Sequence, residues 1–266
     1  MIAQGDRWSA PPLSIVIPMA GRGERFARRG YGEPKPLIPV HGHAMIRLVI
    51  SNLRPSTVPH RFIFVCLEEH LRSFPLRSRL ELWSGGCEVV AIPEVTSGAA
   101  ATVLAARDHF ETDAPLMIAN CDQLVRVSME RYLDQMAVDH LDGLIMTMPA
   151  TDPKWSFVRR GPSGQVVEVA EKVPISGEAT VGIYNFRHGR DFCRAADAMI
   201  NKGARTNGEY YVAPVYNELI AAGMRVGAYE LRSPCETMHG LGIPEDLESF
   251  QRDPSGRALL DELGFR

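Results

Sequence analysis

From Leu13 to about Met148, short apolar runs alternate with amphipathic stretches. Valine, isoleucine, leucine and phenylalanine fill the apolar runs without strict alternation, which is typical of strands that helices cover on both faces. The pattern predicts strands at LSIVIP, RFIFVCL, CEVVAI, PLMIAN and DGLIMTM, and helices near 43–54, 69–82, 98–110 and 128–139. This order of elements indicates an α/β fold with a mostly parallel sheet and crossover helices.

The pattern changes after Pro149, where SFVRR, the turn GPSG and QVVEVAEK predict a hairpin followed by a strand at ATVGIYNF. Helices are predicted from His188 to Asn201 and over YYVAPVYNELIAAG, with a last strand at MRVGAYEL. This half is α+β in character. We expect one domain over 13–250, made of the halves 13–148 and 149–250, with a loose tail at 1–12 and a C-terminal helix or tail at 251–266.

Composition narrows the function classes. The chain is 45% hydrophobic and 23% charged, with a formal net charge of -3, so it has no field suited to nucleic acid or an anionic membrane. The five cysteines lie far apart without a C-x-x-C pair, which argues against a zinc knuckle or a disulfide framework and favours a reducing, cytoplasmic location. No apolar run is long enough to span a bilayer, and the first dozen residues lack the apolar segment of a signal peptide.

Candidate chemistry begins where the first strand ends in MAGRG. Glycines there allow close approach of a ligand to backbone N–H groups, and Arg25 and Lys35 add positive charge, with Lys35 held between two prolines. A tight turn with solvated basic residues is the simpler alternative. The spacing differs from the dinucleotide fingerprint because Phe26 replaces its third glycine, and no G-K-[ST] follows as in a P-loop. We favour a local phosphate site.

AGRGERF followed by PKPLIPV closely resembles the signature of the sugar-phosphate nucleotidyltransferases, the pyrophosphorylases that make NDP-sugars. TSGAAATVLAA, ANCDQ, AEKVP, VGIYNF and GIPEDL resemble further motifs of that family in the same order, from about Ser14 to Phe250. The resemblance implies a Rossmann-like three-layer α/β/α fold with a mixed sheet, of the GT-A-like type. The first half would then bind the nucleotide and the second half the acceptor.

The family reaction joins a nucleoside triphosphate to a sugar 1-phosphate or similar phosphomonoester and releases pyrophosphate. The resemblance implies catalytic roles for Arg25, Lys35 and Asp122, with Mg²⁺ held by Asp122. Asp122 also follows an apolar strand, at the sheet edge where open α/β folds bind ligands. Nucleotide contacts are expected from Met19, Ala20, Gly21, Gly23, Gly98, Ala99 and Cys121, and acceptor contacts from Lys172, Thr180, Gly182, Glu209 and Tyr210.

Several of these roles have simpler readings from the residues alone. Gly98 and Ala99 are ordinary packing residues at a helix start, Lys172 is an ordinary surface lysine, and Glu209 suits a helix start as well as a sugar hydroxyl. The sequence also departs from the family. Gly240 stands at its second metal aspartate, so Glu236 or His239 would have to substitute, although histidine suits Mg²⁺ less well.

Glu24 is a further departure, because a carboxylate near a triphosphate repels it. These changes suggest a divergent branch, of the kind found in capsule or lipopolysaccharide biosynthesis. A GT-A glycosyltransferase and a non-catalytic nucleotide-sensing domain are the alternatives. CTP is the favoured nucleotide, with UTP, dTTP and GTP open, and a homo-oligomer is compatible with the sequence.

Overall fold

A computed structural model describes residues 11–232 and 235–265 of the chain. The strands are β1 (Leu13–Pro18), β2 (Pro39–Val40), β3 (His43–Ala44), β4 (His60–Leu67), β5 (Cys87–Ile92), β6 (Leu116–Ala119), β7 (Gln123–Arg126), β8 (Gly143–Pro149), β9 (Ser156–Arg160), β10 (Val166–Glu171), β11 (Glu178–Phe186), β12 (Val226–Glu230) and β13 (Thr237–Gly240). Residues 1–10, most of the predicted tail, lie outside the described residues.

The α-helices are α1 (Glu24–Ala27), α2 (Met45–Leu53), α3 (Glu68–Ser73), α4 (Leu76–Ser84), α5 (Ala99–Leu104), α6 (Met129–Val138), α7 (Gly189–Asn201), α8 (Tyr216–Ala221), α9 (Pro244–Arg252) and α10 (Pro254–Glu262). Short 3-10 turns cover Lys35–Leu37, Arg107–His109 and Ala213–Val215. None of the helices in the described ranges has the length and apolar character that crossing a bilayer requires.

The main sheet is mixed, as predicted. β5, β4, β1 and β6 run parallel in that spatial order, and β11 pairs antiparallel with β6. β8 lies on the other side of β11 and carries β12 as a parallel neighbour. The β9–β10 hairpin joins the sheet through one pairing, between Phe157 and Ala179 at the start of β11.

Side chains on both faces of the sheet are buried, which accounts for the lack of alternation in the sequence. Ile15 and Ile17 of β1 join one hydrophobic cluster, beneath α2, α4, α6, α9 and α10, whereas Val16 joins a second cluster beneath α5, α7 and α8. Each fully buried aliphatic side chain contributes roughly 1.5–3 kcal/mol of hydrophobic stabilisation. The fold is therefore a three-layer α/β/α sandwich, as expected.

Three predicted helices are interrupted. The stretch 98–110 is α-helical only over α5, followed by the 3-10 turn at Arg107–His109. The stretch 69–82 forms α3 and α4 instead of one helix, because Pro75 lacks a backbone N–H donor and restricts Phe74 to extended geometry. The stretch YYVAPVYNELIAAG is helical only over a 3-10 turn and α8. The pattern also missed the short antiparallel pair β7–β13, which brings the Gly240 region beside the residues that follow β6.

The C-terminal segment belongs to the core. Leu259 and Leu260 of α10 are buried in the same cluster as Ile15 and Ile17 of β1. Helices α9 and α10 therefore pack on the first half of the chain and hold the 241–243 connection near it.

Candidate active site

The loop after β1 is shaped by Gly23. This residue has φ of 62°, in the left-handed region, and a side chain on it would place Cβ 3.2 Å from Cβ of Lys35. Glycine is thus required both by the turn and by the approach of the 35–37 turn. The loop and Lys35 pack directly on each other, so the motif residues that the sequence separates by a dozen positions form one structural unit.

Lys35 Nζ donates a hydrogen bond of 2.8 Å to Oδ2 of Asp122, in the loop that joins β6 to β7. The side chains are 24% and 20% exposed, so the pair is reachable from solvent but mostly enclosed. Burial by itself lowers the pKa of Lys35, yet the Asp122 carboxylate outweighs it and the net shift is upward. The ammonium is therefore fixed as a cation at the carboxyl end of β6.

Asp122 is held by the 240–242 segment. Its carbonyl accepts a hydrogen bond of 2.7 Å from the Leu241 N–H, and its Oδ2 would lie 2.6 Å from a Cβ on Gly242. Any side chain at 242 would displace the carboxylate. A glycine in this motif thus makes room for the Lys35–Asp122 pair.

Three adjoining cavities lie in this part of the molecule, and Lys35 borders two of them. The glycine-loop cavity, of about 330 Å³, is lined by residues that include Met19, Ala20, Gly21, Gly23, Lys35, Gly98, Ala99, Cys121 and Glu209. The arginine cavity, of about 310 Å³, is lined by Gly23, Glu24, Arg25, Phe26, Arg28, Lys35 and Gly242. The aromatic cavity, of about 330 Å³, is lined by residues that include Arg25, Ala99, Trp155, Lys172, Thr180, Gly182, Tyr184 and Tyr211.

Neighbouring cavities share walls. Gly23 and Lys35 border both the glycine-loop and the arginine cavities, Arg25 borders the arginine and aromatic cavities, and Ala99 borders the aromatic and glycine-loop cavities. Arg25 and Lys35 therefore lie on walls of adjoining cavities, and Asp122, which lines none of the three, contacts them through its hydrogen bond with Lys35. All seven residues expected to contact the nucleotide line the glycine-loop cavity.

The basic residues of the arginine cavity differ in their partners. Glu24 pairs with Arg28 at 3.0 Å on the surface. The negative charge that would repel a phosphate is therefore neutralised by a neighbouring cation. Among the residues that the structure describes, the guanidinium of Arg25 makes no hydrogen bond or ion pair. Arg25 is thus free to bind an anion.

Gly98 lines the glycine-loop cavity and also packs closely against the backbone of Tyr210. It has φ of 130°, and a Cβ there would lie 2.5 Å from both the backbone N and O of Tyr210. The loop 97–100 is hydrogen-bonded to Tyr210 on both sides, from Tyr210 N to Ser97 O and from Ala100 N to Tyr210 O. The absence of a side chain at Gly98 therefore lets this loop pack against the backbone of Tyr210.

The acceptor residues fall into three groups. Lys172, Thr180 and Gly182 line the aromatic cavity, whereas Glu209 lines the glycine-loop cavity instead. Tyr210 requires a correction, because its side chain is 4% exposed in the core and its hydroxyl donates to the Ile200 carbonyl. Its neighbour Tyr211, to which the sequence assigned no role in the site, lines the aromatic cavity. The two tyrosines are adjacent, and nothing in the sequence indicates which one is buried in the core and which one lines the cavity.

Trp155 and Glu171 are further residues of the aromatic cavity that the sequence analysis did not assign. Lys154 Nζ lies 4.9 Å from the centre of the Trp155 ring. Glu171 is buried, accepts a hydrogen bond from Ser156, and has its pKa raised by burial. The cavity thus combines cations, aromatic faces and one enclosed carboxylate.

The structure does not bring Glu236 or His239 to Asp122 as a metal group. Glu236 accepts a 3.0 Å hydrogen bond from Tyr229 and lines a separate cavity that shares no residue with the three described above. His239 packs on Phe250 at 5.2 Å between ring centres, and burial lowers its pKa. Within 11–232 and 235–265, no three or more His, Cys, Asp or Glu side chains form a group that could hold a metal ion.

A different carboxylate borders the position of the missing aspartate. A Cβ on Gly240 would lie 3.6 Å from Oδ2 of Asp246 and 3.8 Å from Trp155. Asp246 is also 3.7 Å from Lys154 Nζ. A site with Asp122 as its one carboxylate remains compatible with Mg²⁺, because that ion commonly uses one or two carboxylates together with substrate phosphates.

Comparison with known proteins gives a family match and curated relatives. Residues 15–171 match the MobA-like NTP transferase domain. The bifunctional proteins GlmU of Geobacillus thermodenitrificans and Shouchella clausii are 26% identical over 233 residues and 24% identical over 265 residues. These matches cover 84% and 94% of this chain but 48% and 54% of the relatives, so the chain spans about half of their length.

Solved structures share the fold across nearly the whole chain. A nucleoside-diphosphate-sugar pyrophosphorylase from Vibrio cholerae RC9 has a TM-score of 0.77 at 25% identity and covers 90% of this chain and 100% of its own. The inositol-1-phosphate CTP transferase from T. maritima has a TM-score of 0.74 at 16% identity, covering 97% and 99%. The motif resemblance is thus confirmed, while the capsule or lipopolysaccharide branch stays a prediction. The chain belongs to the MobA-like NTP transferase family.

Proposed function

We propose that the protein is a nucleotidyltransferase that condenses a nucleoside triphosphate with a sugar 1-phosphate or a similar phosphomonoester, giving a nucleotide-activated product and pyrophosphate. One observation carries the proposal. The glycine-loop, arginine and aromatic cavities meet in pairs along walls formed by Gly23, Lys35, Arg25 and Ala99. Three adjoining compartments suit the three parts of such a reaction, namely the nucleoside, the leaving pyrophosphate and the acceptor.

The proposed step exchanges one phosphoanhydride bond for another. An acceptor phosphate oxygen attacks the α-phosphorus, the bond from that phosphorus to the β-bridging oxygen breaks, and pyrophosphate leaves with the bridging oxygen. Lys35 would bind the α-phosphate, since it borders both the glycine-loop and the arginine cavities. Arg25, whose guanidinium has no hydrogen bond or ion pair within the described part of the chain and which borders the arginine cavity, would brace the pyrophosphate.

Positioning and charge neutralisation supply most of the catalysis, because both reactants are anions. Lys172 in the aromatic cavity would hold the acceptor phosphate. Asp122 would hold Mg²⁺, which when bound supplies charge neutralisation and alignment of the phosphates. The buried Glu171 and the ring of Trp155 offer a hydrogen-bond acceptor and a flat apolar face, which suit a hydroxylated acceptor of sugar size.

The test is pyrophosphate release. The chain is incubated with Mg²⁺, each of CTP, UTP, GTP, ATP and dTTP, and a panel of sugar 1-phosphates and other phosphomonoesters. We expect release with one nucleotide and one acceptor class, with CTP the favoured base, and loss of release on chelation of the metal. The identity of the acceptor that supports release would then show whether the product suits surface polysaccharide synthesis.

The same assay separates the alternatives. A GT-A glycosyltransferase releases no pyrophosphate, and a nucleotide-sensing domain responds to nucleotide only through its melting temperature. Asp122→Asn serves as the inactive variant and Glu248→Gln, on the exposed face of α9, as the matched carboxylate control. Pyrophosphate release that is unchanged in Asp122→Asn would remove the role assigned to that carboxylate.

A further inference from the structure

Among the described residues that line the glycine-loop cavity, two side chains carry a charge, Lys35 and Glu209. Lys35 also borders the arginine cavity and Glu209 does not, so Lys35 marks the end at which the two cavities meet. Phosphates are attracted to the ammonium and repelled by the carboxylate. A nucleotide in this cavity therefore places its phosphates beside Lys35 and its uncharged nucleoside beside Glu209.

The backbone holds Glu209 in a fixed position at this cavity. Glu209 closes a tight turn with Thr206, in which the N–H of each residue donates to the carbonyl of the other at 3.0 Å. The two residues between them have left-handed φ values of 50° and 82°, as two-residue hairpin turns require. The next residue, Tyr210, is hydrogen-bonded to the 97–100 loop on both sides. The exposed carboxylate of Glu209 therefore extends from a rigid base.

Two hydroxyls of the same cavity use their protons within the protein. Thr96 and Thr102 both line it, and their Oγ1 atoms lie 2.6 Å apart. They also lie 2.9 Å and 3.2 Å from the Gly98 carbonyl oxygen, so both hydroxyl protons have acceptors nearby. The carboxylate of Glu209 has no donor to offer. These three side chains therefore present acceptors, and the ligand groups that meet them must be donors.

A nucleobase with an exocyclic amino group supplies such a donor. Cytosine, adenine and guanine each carry an NH₂ group, and a glutamate carboxylate is a good acceptor for the amino group of cytosine. Uracil and thymine carry a carbonyl oxygen where cytosine carries its amino group, so Glu209 would face a second acceptor and both would stay unpaired. Val95, which is 46% exposed, and Ala99 add apolar surface for the flat ring.

We propose that Glu209 selects the nucleobase, and that the protein takes a nucleotide whose base bears an exocyclic amino group in preference to one with uracil or thymine. The inference deepens the proposed function and rests on it, because it takes the glycine-loop cavity as the nucleoside site. It gives Glu209 a role toward the nucleotide instead of the role toward the acceptor that the sequence predicted. CTP, the favoured nucleotide, meets the requirement.

Nucleotide binding without an acceptor tests the inference. The full chain is titrated by calorimetry with CTP, UTP, dTTP, ATP, GTP and ITP, in the presence of Mg²⁺ and without any phosphomonoester. CTP and UTP are a matched pair that differs at the amino position, and GTP and ITP differ only in the amino group of guanine. We expect the tightest ligand to be an amino-bearing nucleotide that binds about tenfold to 100-fold more tightly than its matched partner, the range of one good base contact.

Glu209→Gln replaces one carboxylate oxygen with an amide group that donates. In this variant we expect the amino-bearing nucleotide to bind more weakly, so that the ratio of affinities within its matched pair falls to about one. Glu248→Gln, the matched carboxylate control, should keep the ratio of the unaltered protein. A contact of Glu209 with the ribose gives a different result, because both members of a pair share the ribose and would weaken by the same factor.

The inference is overturned if UTP, dTTP or ITP is the tightest ligand, or if none of the six nucleotides binds. It is also overturned if Glu209→Gln keeps the ratio within the matched pair, including the case in which both members weaken equally. Pyrophosphate release judges the proposed function separately. Release with UTP as the best nucleotide would leave the nucleotidyltransferase assignment standing without the inference, whereas amino-selective binding with no release from any phosphomonoester would do the reverse.

Discussion

Substitution of Lys35 by methionine separates stability from catalysis at the centre of the site. The change keeps a stem of similar length and removes the ammonium that donates 2.8 Å to Asp122. The carboxylate then remains 20% exposed without its cation. Hydrogen bonds to charged groups contribute about 1.5–3 kcal/mol, and partial exposure of both side chains reduces that contribution. We therefore expect a loss of about 1–2 kcal/mol in the free energy of unfolding.

The effect on turnover should be larger. Loss of one donor aimed at charge in the transition state costs about 100-fold to 1,000-fold in rate. The double variant Lys35→Met/Asp122→Asn tests the origin of the stability loss, because it removes the unpaired charge that the single variant leaves. We expect the double variant to recover most of the unfolding free energy and none of the turnover.

Urea unfolding measures the free energy of unfolding of these variants, and pyrophosphate release measures their turnover. Arg252→Met, which breaks a pair with Glu248 whose side chains are 76% and 46% exposed, is the matched control and should cost less than about 0.5 kcal/mol. Near-normal turnover in Lys35→Met would remove its assigned role at the α-phosphate. A double variant as unstable as the single one would show that the Asp122 charge is not the cause of the loss.

Three further substitutions test the surroundings. Gly242→Ala places Cβ 2.6 Å from Oδ2 of Asp122, so the carboxylate must turn away; turnover should fall about 100-fold with little change in melting temperature, and full activity would contradict this geometry. Gly98→Ala should lower the melting temperature and weaken nucleotide binding, whereas Gly86→Ala, with φ of 115° against 130° at Gly98 and no atom within 4 Å of its Cβ, should show only the backbone strain; equal effects would contradict the packing role. Burial lowers the pKa of His239, so the unfolded state binds more protons below about pH 6.5 and stability falls as the pH drops; His239→Gln should reduce that decline between pH 7 and pH 5 in urea unfolding, and an unchanged slope would count against it.

The sequence predicted those parts of the fold that local pattern determines. β1, β4 and β6 are continuous apolar runs, and helices cover both faces of the sheet that they form. The β7–β13 pair escaped prediction because each strand has four residues and the pairing joins Gln123 to Gly240 across more than a hundred positions. Neither strand has a pattern of its own that reveals such a partner.

Within the site, the motifs predicted which segments meet but not which side chain faces which cavity. Tyr210 and Tyr211 are chemically identical, and the backbone hydrogen bonds of Tyr210 to Ser97 and Ala100 decide that it is the buried one. Glu209 likewise lines the glycine-loop cavity because of this anchor. Orientation around a loop depends on long-range contacts that spacing along the chain does not encode.

The glycines of the motifs are constrained by protein neighbours. Gly23 is fixed by the approach of Lys35 and Gly242 by the carboxylate of Asp122, while Gly98 is fixed by backbone packing. Such glycines let charged groups reach their places before any substrate binds, and preorganised charges need no rearrangement during the reaction. It follows that substitutions at Gly23 and Gly242 should impair the chemical step by moving a cation or a carboxylate, even where the cavity itself keeps room for the substrate.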